Sequence, residues 1–194
     1  MCLLQRGDYN TAVEIMNYKL SKLTIFMHWI VGFGMIGMLL LGWYMTTFEA
    51  HSLYPLHKSV GLLVICFSCM RILWRLKEGW FPPATPMEGY EKLASKTVHY
   101  ALLIITLLFP ISGMLMSAAS GHGIAFFGHV LVSSNIDSAT HKAIAINHSL
   151  AEIGKEIHRF LMWALAMIFL IHISAVIKHH FFSKDDTLNR MLGK

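Results

Sequence analysis

The residues of this chain that could do chemistry are histidines at the ends of long apolar runs. His158 and His172 lie 14 residues apart in one such run. A helix turns about 100° and rises about 1.5 Å per residue, so the two side chains would point within roughly 40° of each other at depths about 21 Å apart. One helix would therefore present two imidazoles to the same interior at two levels.

Two other runs would supply a partner imidazole at each level. His28 lies near the start of the first run and His57 at the start of the second, so an up-and-down bundle places them level with His172 and His158. Two imidazoles are too few for a zinc site, which takes three or four protein ligands. They suffice for a haem, which brings its own four nitrogens. The pairs His28–His172 and His57–His158 therefore predict the axial ligands of two b-type haems in the bundle core.

Basic residues accompany these histidines. Arg71 follows His57 by 14 residues, so it would share the face of His57 at the level of the other pair. A buried arginine in a membrane helix is costly and needs an anionic partner, and a haem propionate would accept from it bidentately. Lys58 and Arg159 directly follow histidines of the other pair and are predicted to bind the propionates of the second haem.

The composition identifies the elements that must hold these residues. Hydrophobic residues make up 55% of the 194-residue chain and charged residues 14%, against roughly 25% charged in ordinary soluble domains. A run of about 20 apolar residues crosses the hydrocarbon core of a bilayer as a helix, and the alternation of a membrane strand is missing. We predict an all-α, integral membrane four-helix bundle, with spans at 23–48, 59–76, 97–119 and 160–177.

The charge distribution orients this bundle in the membrane. Twelve of the 16 basic residues fall on one side of it: Arg6, Lys19, Lys22, Arg71, Arg75, Lys77, Lys92, Lys96, Lys178, Lys184, Arg190 and Lys194. The positive-inside rule then puts both termini in the cytoplasm. The net charge of +5 is explained by this sorting, and we expect membrane lipid and no nucleic acid as a partner.

The connections differ in character. Pro82, Pro83 and Pro86 end the second helix, and the stretch 123–132 is expected to lie in the membrane interface as a short helix. Residues 1–15 lack the apolar core of a signal peptide, so we interpret them as a disordered or mis-annotated extension, with the functional domain over 16–194.

Several stretches, in order and spacing, resemble the bacterial cytochrome b561 family. They are LSKLTIFMHW at 20–29, HKSVG at 57–61, MRILWR at 70–75, LFPISG at 108–113, the His158 to His172 pair and HHFFSKDDTL at 179–188. The resemblance implies a small inner-membrane cytochrome with two haem b groups that moves single electrons between a quinone, ubiquinone or menaquinone, and a partner. Some members are similar to superoxide oxidases, which pass an electron from superoxide at the outer face to ubiquinone.

Three functions remain open at this point. The first is a stand-alone oxidoreductase that takes electrons from superoxide or a periplasmic redox partner, with Lys58, Lys142, Lys155 and Arg159 drawing an anion to the outer rim. The second is a haem-bearing membrane anchor subunit of a larger dehydrogenase or hydrogenase. The third is a non-redox, His-lined transporter, which would need carboxylates inside the bundle. A homodimer is compatible with the first two, and the residues assign no catalytic group.

Other histidines and small residues have weaker interpretations. His99 competes with His28 and His172 as a ligand, or contacts a propionate or a quinone at that level together with Lys22 and Arg71. His179 and His180 are expected to extend to the interface. Cys66 and Cys69 lie in an apolar span and are interpreted as packing residues. Four glycines are expected to allow close approach of a flat cofactor or a helix: Gly32, Gly34, Gly37 and Gly61.

Overall fold

The fold is a bundle of four long helices. The computed structural model describes residues 18–79, 81–84, 87 and 89–194, so the interpretation of residues 1–15 and the proposed role of Pro86 lie outside the described residues. The long helices are α1 (Lys22–Thr47), α2 (Tyr54–Glu78), α3 (Gly89–Ala119) and α4 (His148–Ile177). Each is long and apolar enough to cross a membrane, which confirms the predicted fold class.

Short elements complete the described chain. A 3-10 turn (His51–Leu53) leads into α2, and α4 continues as a π-helical turn (Lys178–Ser183) before the short helix α5 (Thr187–Met191). In the connection between α3 and α4 lie two strands, β1 (Ile124–Phe126) and β2 (His129–Val132).

The helix boundaries follow from capping residues. Ser21 accepts a hydrogen bond from the Thr24 N–H at 3.2 Å, and Asn147 accepts from the Leu150 N–H at 3.0 Å, as N-cap residues do. Gly79, at φ 78°, ends α2. α3 and α4 begin well before the predicted 97 and 160, because their first turns carry charged residues that a search for charge-free runs leaves out.

Neighbouring helices pack in chain order, α1 on α2, α2 on α3 and α3 on α4. α3 and α4 approach each other closely at Gly154, where a β-carbon would lie 2.9 Å from the Met116 backbone nitrogen. Gly34 similarly admits Val64 between α1 and α2. Large apolar side chains such as Leu76 and Phe160 cover the outside of the bundle, as a lipid environment allows.

The stretch 123–132 forms a β-hairpin, so the predicted interfacial helix is wrong. Phe126 pairs with His129, and the two residues between them have positive φ, 45° at Phe127 and 91° at Gly128. Such a turn joins two antiparallel strands with the twist they prefer. Gly123 also has a positive φ, 63°, which a continuous helix would not permit.

The hairpin is attached to the end of α2 that carries His57. The Lys58 Nζ donates to the carbonyl oxygens of Gly123 at 3.1 Å and His122 at 3.4 Å. The buried Ser59 hydroxyl accepts from the Phe127 N–H at 2.9 Å and donates to the Pro55 carbonyl at 2.8 Å. The two residues that follow His57 therefore hold the loop over this end of the bundle.

Candidate cofactor site

The candidate site is a stack of three layers, to which every long helix contributes at seven-residue intervals. Seven residues are about two helical turns, or roughly 10.5 Å, and nearly preserve the face of a helix. We call the two ends of the stack the His28 end and the His57 end. From the first end to the second, the contributions are His28, Met35 and Gly42 on α1; Arg71, Val64 and His57 on α2; His99, Thr106 and Gly113 on α3; and His172, Leu165 and His158 on α4.

The middle layer is a sealed apolar partition. Its members are 0–6% exposed: Leu165 0%, Met35 1%, Thr106 4% and Val64 6%. The Thr106 hydroxyl is satisfied within its own helix by the Leu103 carbonyl at 3.1 Å. Water is thus kept from the region between the two histidine levels.

At the His28 end, two predicted ligands face each other. The ring centroids of His28 and His172 lie 6.2 Å apart. Two imidazoles on opposite sides of one metal ion would have centroids about 6 Å apart, from a metal–nitrogen bond of about 2 Å and about 1 Å more to each ring centre. The separation therefore suits an axial pair.

His99 joins this pair as a third imidazole. Its ring meets the His172 ring edge-on at a centroid distance of 5.5 Å. Its Nδ1 lies 2.7 Å from the Ser95 carbonyl oxygen, which can only accept, so Nδ1 carries the proton. Within the described residues, no three His, Cys, Asp or Glu side chains are arranged to hold a metal ion by themselves.

Arg71 lies at the level that its spacing predicts. Its Nη2 donates to the His28 Nδ1 at 3.1 Å, so the proton of the neutral His28 ring lies on Nε2. Binding of a metal by that Nε2 would require Arg71 to leave this contact. Among the described residues, no carboxylate forms an ion pair with it. A half-buried guanidinium of this kind is suited to an anionic group beside the His28–His172 pair.

At the His57 end, each imidazole packs against a glycine of a neighbouring helix. A β-carbon at Gly42 would lie 3.5 Å from His57 Cε1, and one at Gly113 would lie 3.0 Å from His158 Cε1. The His158 ring also stacks on Phe109 with centroids 4.3 Å apart. Sequence reasoning did not assign these two glycines to the ligands, although each follows a histidine of its own helix by 14 residues.

Hydrogen bonds leave a metal-binding nitrogen available on His158. Its Nδ1 lies 3.0 Å from the Phe109 carbonyl oxygen, so Nδ1 donates and Nε2 keeps its lone pair. The His57 Nδ1 is buried with no hydrogen-bond partner among the described residues, and the same is true of the Ser68 hydroxyl one turn before Arg71.

The two other basic residues predicted to bind a cofactor have their charged ends elsewhere. Lys58 is bonded to the hairpin carbonyls, and Arg159 pairs with Glu156 on the exposed side of α4. Their role at propionates stays a prediction.

His179, expected to extend to the interface, instead contacts Asp185 at 2.6 Å. Cys66 and Cys69 are exposed on the outside of α2.

Comparison with known proteins identifies the family of this chain. Residues 19–194 match the family model of the prokaryotic cytochrome b561, so the chain belongs to that family of membrane cytochromes. It is 34% identical over 175 residues to cytochrome b561 homolog 2 of Escherichia coli K12, covering 86% of this chain and 87% of that protein.

Two further relatives extend the comparison. Cytochrome b561 homolog 1 of Escherichia coli K12 is 29% identical over 185 residues, 91% of this chain and 98% of the relative. A protein of Yersinia pestis named probable superoxide oxidase CybB is 26% identical over 187 residues, 92% of this chain and 98% of the relative.

The family implies haem b, and the residues present fit that group. The spacing of the His28 and His172 rings suits axial ligation. The His158 Nε2 keeps its lone pair for a metal. At the other end of the stack, a glycine of a neighbouring helix lies against each imidazole. The unpartnered His57 Nδ1 is a further polar group that a bound cofactor and its surroundings would have to satisfy.

Proposed function

We propose that this protein carries two haem b groups and transfers single electrons between a donor at the His57 end and a membrane quinone at the His28 end. The main observation that supports this proposal is the three-layer stack: His28 and His172 lie at one end, His57 and His158 lie at the other, and the buried layer with Met35 and Leu165 lies between them. Haem b, ligated by His28 with His172 and by His57 with His158, would supply the one-electron redox chemistry.

The protein's own residues set the conditions for that chemistry. The imidazoles would hold the iron of each haem from two helices, and the buried layer around Leu165 would keep water out between the two sites. Arg71 places a positive charge at the His28 level, which favours an electron on the nearby site. His158 and His172 each belong to one proposed pair. Their spacing along α4 would therefore set the separation of the two proposed haem sites.

The positive-inside bias supports an orientation with the His28 end and both termini facing the cytoplasm of a bacterial inner membrane. The donor side is then the hairpin side. Superoxide is our first candidate donor there, supported by the name of the Yersinia relative. Lys155 and Arg159 form ion pairs with Glu152 and Glu156, so attraction of an anion at this rim is weaker than the sequence suggests and depends more on Lys142.

The quinone is proposed to bind at the His28 end, near Lys22, Arg71 and His99. An apolar groove of about 300 Å³ lies between α1 and α2 at this same end. Its lining includes Met70, Trp74 and Lys77. Such a groove would admit an isoprenoid quinone from the membrane without passage through water.

The deciding experiment is a reduced-minus-oxidised optical spectrum of the detergent-purified protein with haem quantified per chain. We expect two low-spin b haems, of which His28→Ala and His57→Ala each remove one. His129→Ala in the exposed hairpin is the matched control and should keep both. Wild-type protein without haem would exclude the cytochrome function and return attention to a transporter.

The donor is tested next by mixing the haem-loaded protein with superoxide and a soluble quinone. We expect haem reduction by superoxide and reoxidation by the quinone. Absence of reduction, together with co-purification of a soluble redox protein, would instead support the membrane anchor of a larger dehydrogenase.

A further inference from the structure

The C-terminal segment folds back across the His28 end of the bundle. Residues 184–194, which we call the strap, begin at Lys184, whose φ of 51° reverses the chain after the π-helical turn. Asp185 is 6% exposed. Its carboxylate lies 2.6 Å from His179 Nδ1 and accepts from the Thr187 N–H at 3.0 Å. The strap is therefore fixed at its first residues to the end of α4.

Its other end is fixed to α1. The Trp29 indole N–H donates to the Met191 carbonyl oxygen at 2.8 Å. Gly193 lies against Ile25, where a β-carbon would be 3.6 Å from Cδ1. The strap thus connects the helix that carries His172 to the helix that carries His28.

This connection matters because the main helix interfaces of the bundle are α1–α2, α2–α3 and α3–α4, and α1–α4 is not among them. The His28 and His172 rings nevertheless face each other. Trp29 directly follows His28, meets its ring edge-on at 5.3 Å and stacks on Phe33 at 5.2 Å. A residue bonded to the strap is thus packed against one member of the pair.

We propose that Trp29, held by the strap, is a positioning residue for His28 and sets its placement relative to His172. The inference rests on the proposed haem ligation. The strap acts at one end of the molecule, so the His57–His158 site in the same protein is an internal reference that a general loss of folding would also affect.

The test uses the full-length, haem-loaded protein in lipid nanodiscs. Trp29→Phe removes the indole donor and keeps an aromatic ring. Asp185→Asn weakens the attachment to α4. The matched controls are Trp163→Phe, at an exposed tryptophan of α4, and Asp186→Asn, next to Asp185. Asp186 is exposed, and asparagine keeps the oxygen that accepts from the Asn189 side chain at 3.0 Å. The readouts are hydrogen exchange of residues 185–193 and the low-temperature electron paramagnetic resonance spectrum with a redox titration of each haem.

We expect about fivefold faster exchange in the strap for Trp29→Phe, the factor that one net hydrogen bond contributes. The same variant should shift the low-spin signal and midpoint potential of the His28–His172 haem and leave those of the other haem unchanged. Neither control should alter either readout.

Two results would overturn the proposal. Unchanged exchange in both test variants would show that the strap is not held by these contacts. Faster exchange with unchanged spectra would show that the strap has no influence on the ligand. A wild-type protein without haem would refute the proposed function and the positioning role with it, while the exchange arm alone would still decide whether the strap is attached.

Discussion

The His158 imidazole occupies the space that a side chain at Gly113 would need. A β-carbon built on Gly113 would lie 3.0 Å from Cε1 and 3.3 Å from Nδ1 of that ring. The contact joins α3 to a predicted haem ligand on α4, so the smallness of residue 113 determines where the ligand ring lies.

Gly113→Ala is therefore expected to displace His158 and to lower haem content from about two to about one per chain. The Phe109 carbonyl and the stacked Phe109 ring limit how far the imidazole can move. Haem quantification measures the loss. Gly37→Ala is the control, since no atom of the described residues lies within 4 Å of a β-carbon there, and alanine in a helix stabilises by roughly 0.5–1 kcal/mol. Equal haem content in the two variants would contradict the claim that Gly113 determines the position of His158.

Leu165→Ala should open a cavity in the middle layer. Leu165 is fully buried, and such truncations cost about 2–5 kcal/mol, so thermal unfolding should shift to a clearly lower temperature while both histidine pairs remain. Leu165→Met, which keeps the volume, should cost less than about 1.5 kcal/mol. A comparable loss in both variants would argue against a tightly packed partition.

Replacing Arg71 by glutamine should lower the midpoint potential of the haem at the His28 end. Removing a positive charge beside a redox group favours its oxidised, more positive form. Arg71→Lys keeps the charge and should retain most of the potential. Arg75→Gln, one turn further along the same helix, is the comparison: the Arg75 guanidinium lies 3.8 Å from the centre of the Phe81 ring, whereas that of Arg71 is bonded to His28, so a smaller shift is expected for Arg75→Gln. Redox titration decides, and an equal shift for Arg71→Gln and Arg75→Gln would refute a local effect.

Lys58→Met tests whether Lys58 holds the hairpin or binds a haem propionate. Because its Nζ donates to two carbonyls of the loop, we expect faster hydrogen exchange over 124–132 and unchanged haem content. Lys142→Met, in an exposed part of the same connection, should leave hairpin exchange as it is. Loss of haem with an intact hairpin would instead support the predicted role at a propionate.

The attachment of the strap should depend on acid. Burial tends to raise the pKa of Asp185, but hydrogen bonds from Thr187 and His179 outweigh it, and the net pKa lies below the usual value of 3.8. Stabilisation by the ionised carboxylate is then complete above about pH 4 and is lost as the pH falls through the lowered pKa of the folded state. Proteolysis of the C-terminus at stepped pH should show this loss in the wild type. Asp185→Asn should be cleaved readily at every pH.

The levels of the histidines could be predicted from sequence because they depend on spacing along single helices. A separation of 14 residues fixes the face and depth of His158 and His172 without reference to any neighbour. Gly42 and Gly113 could not be assigned, because their role depends on which residue of another helix lies opposite.

The hairpin and the strap escaped prediction for a different reason. The hairpin is defined by positive φ at Phe127 and Gly128, and phenylalanine rarely adopts such a conformation. The Trp29 to Met191 hydrogen bond joins residues 162 positions apart, and no local pattern encodes it. Local periodicity thus specified the helices, while contacts between distant segments complete the site.

The seven-residue spacing of the layers also limits how the length of this chain can change. Inserting one residue between Leu165 and His172 would rotate that imidazole by about 100° and move it out of the stack. Adding seven residues would restore its face but move the two ligand levels about 10.5 Å further apart. Insertions and deletions should therefore be tolerated at the hairpin turn and be disruptive within the spans. The distance between the two proposed haem sites can then change only in steps of whole helical turns.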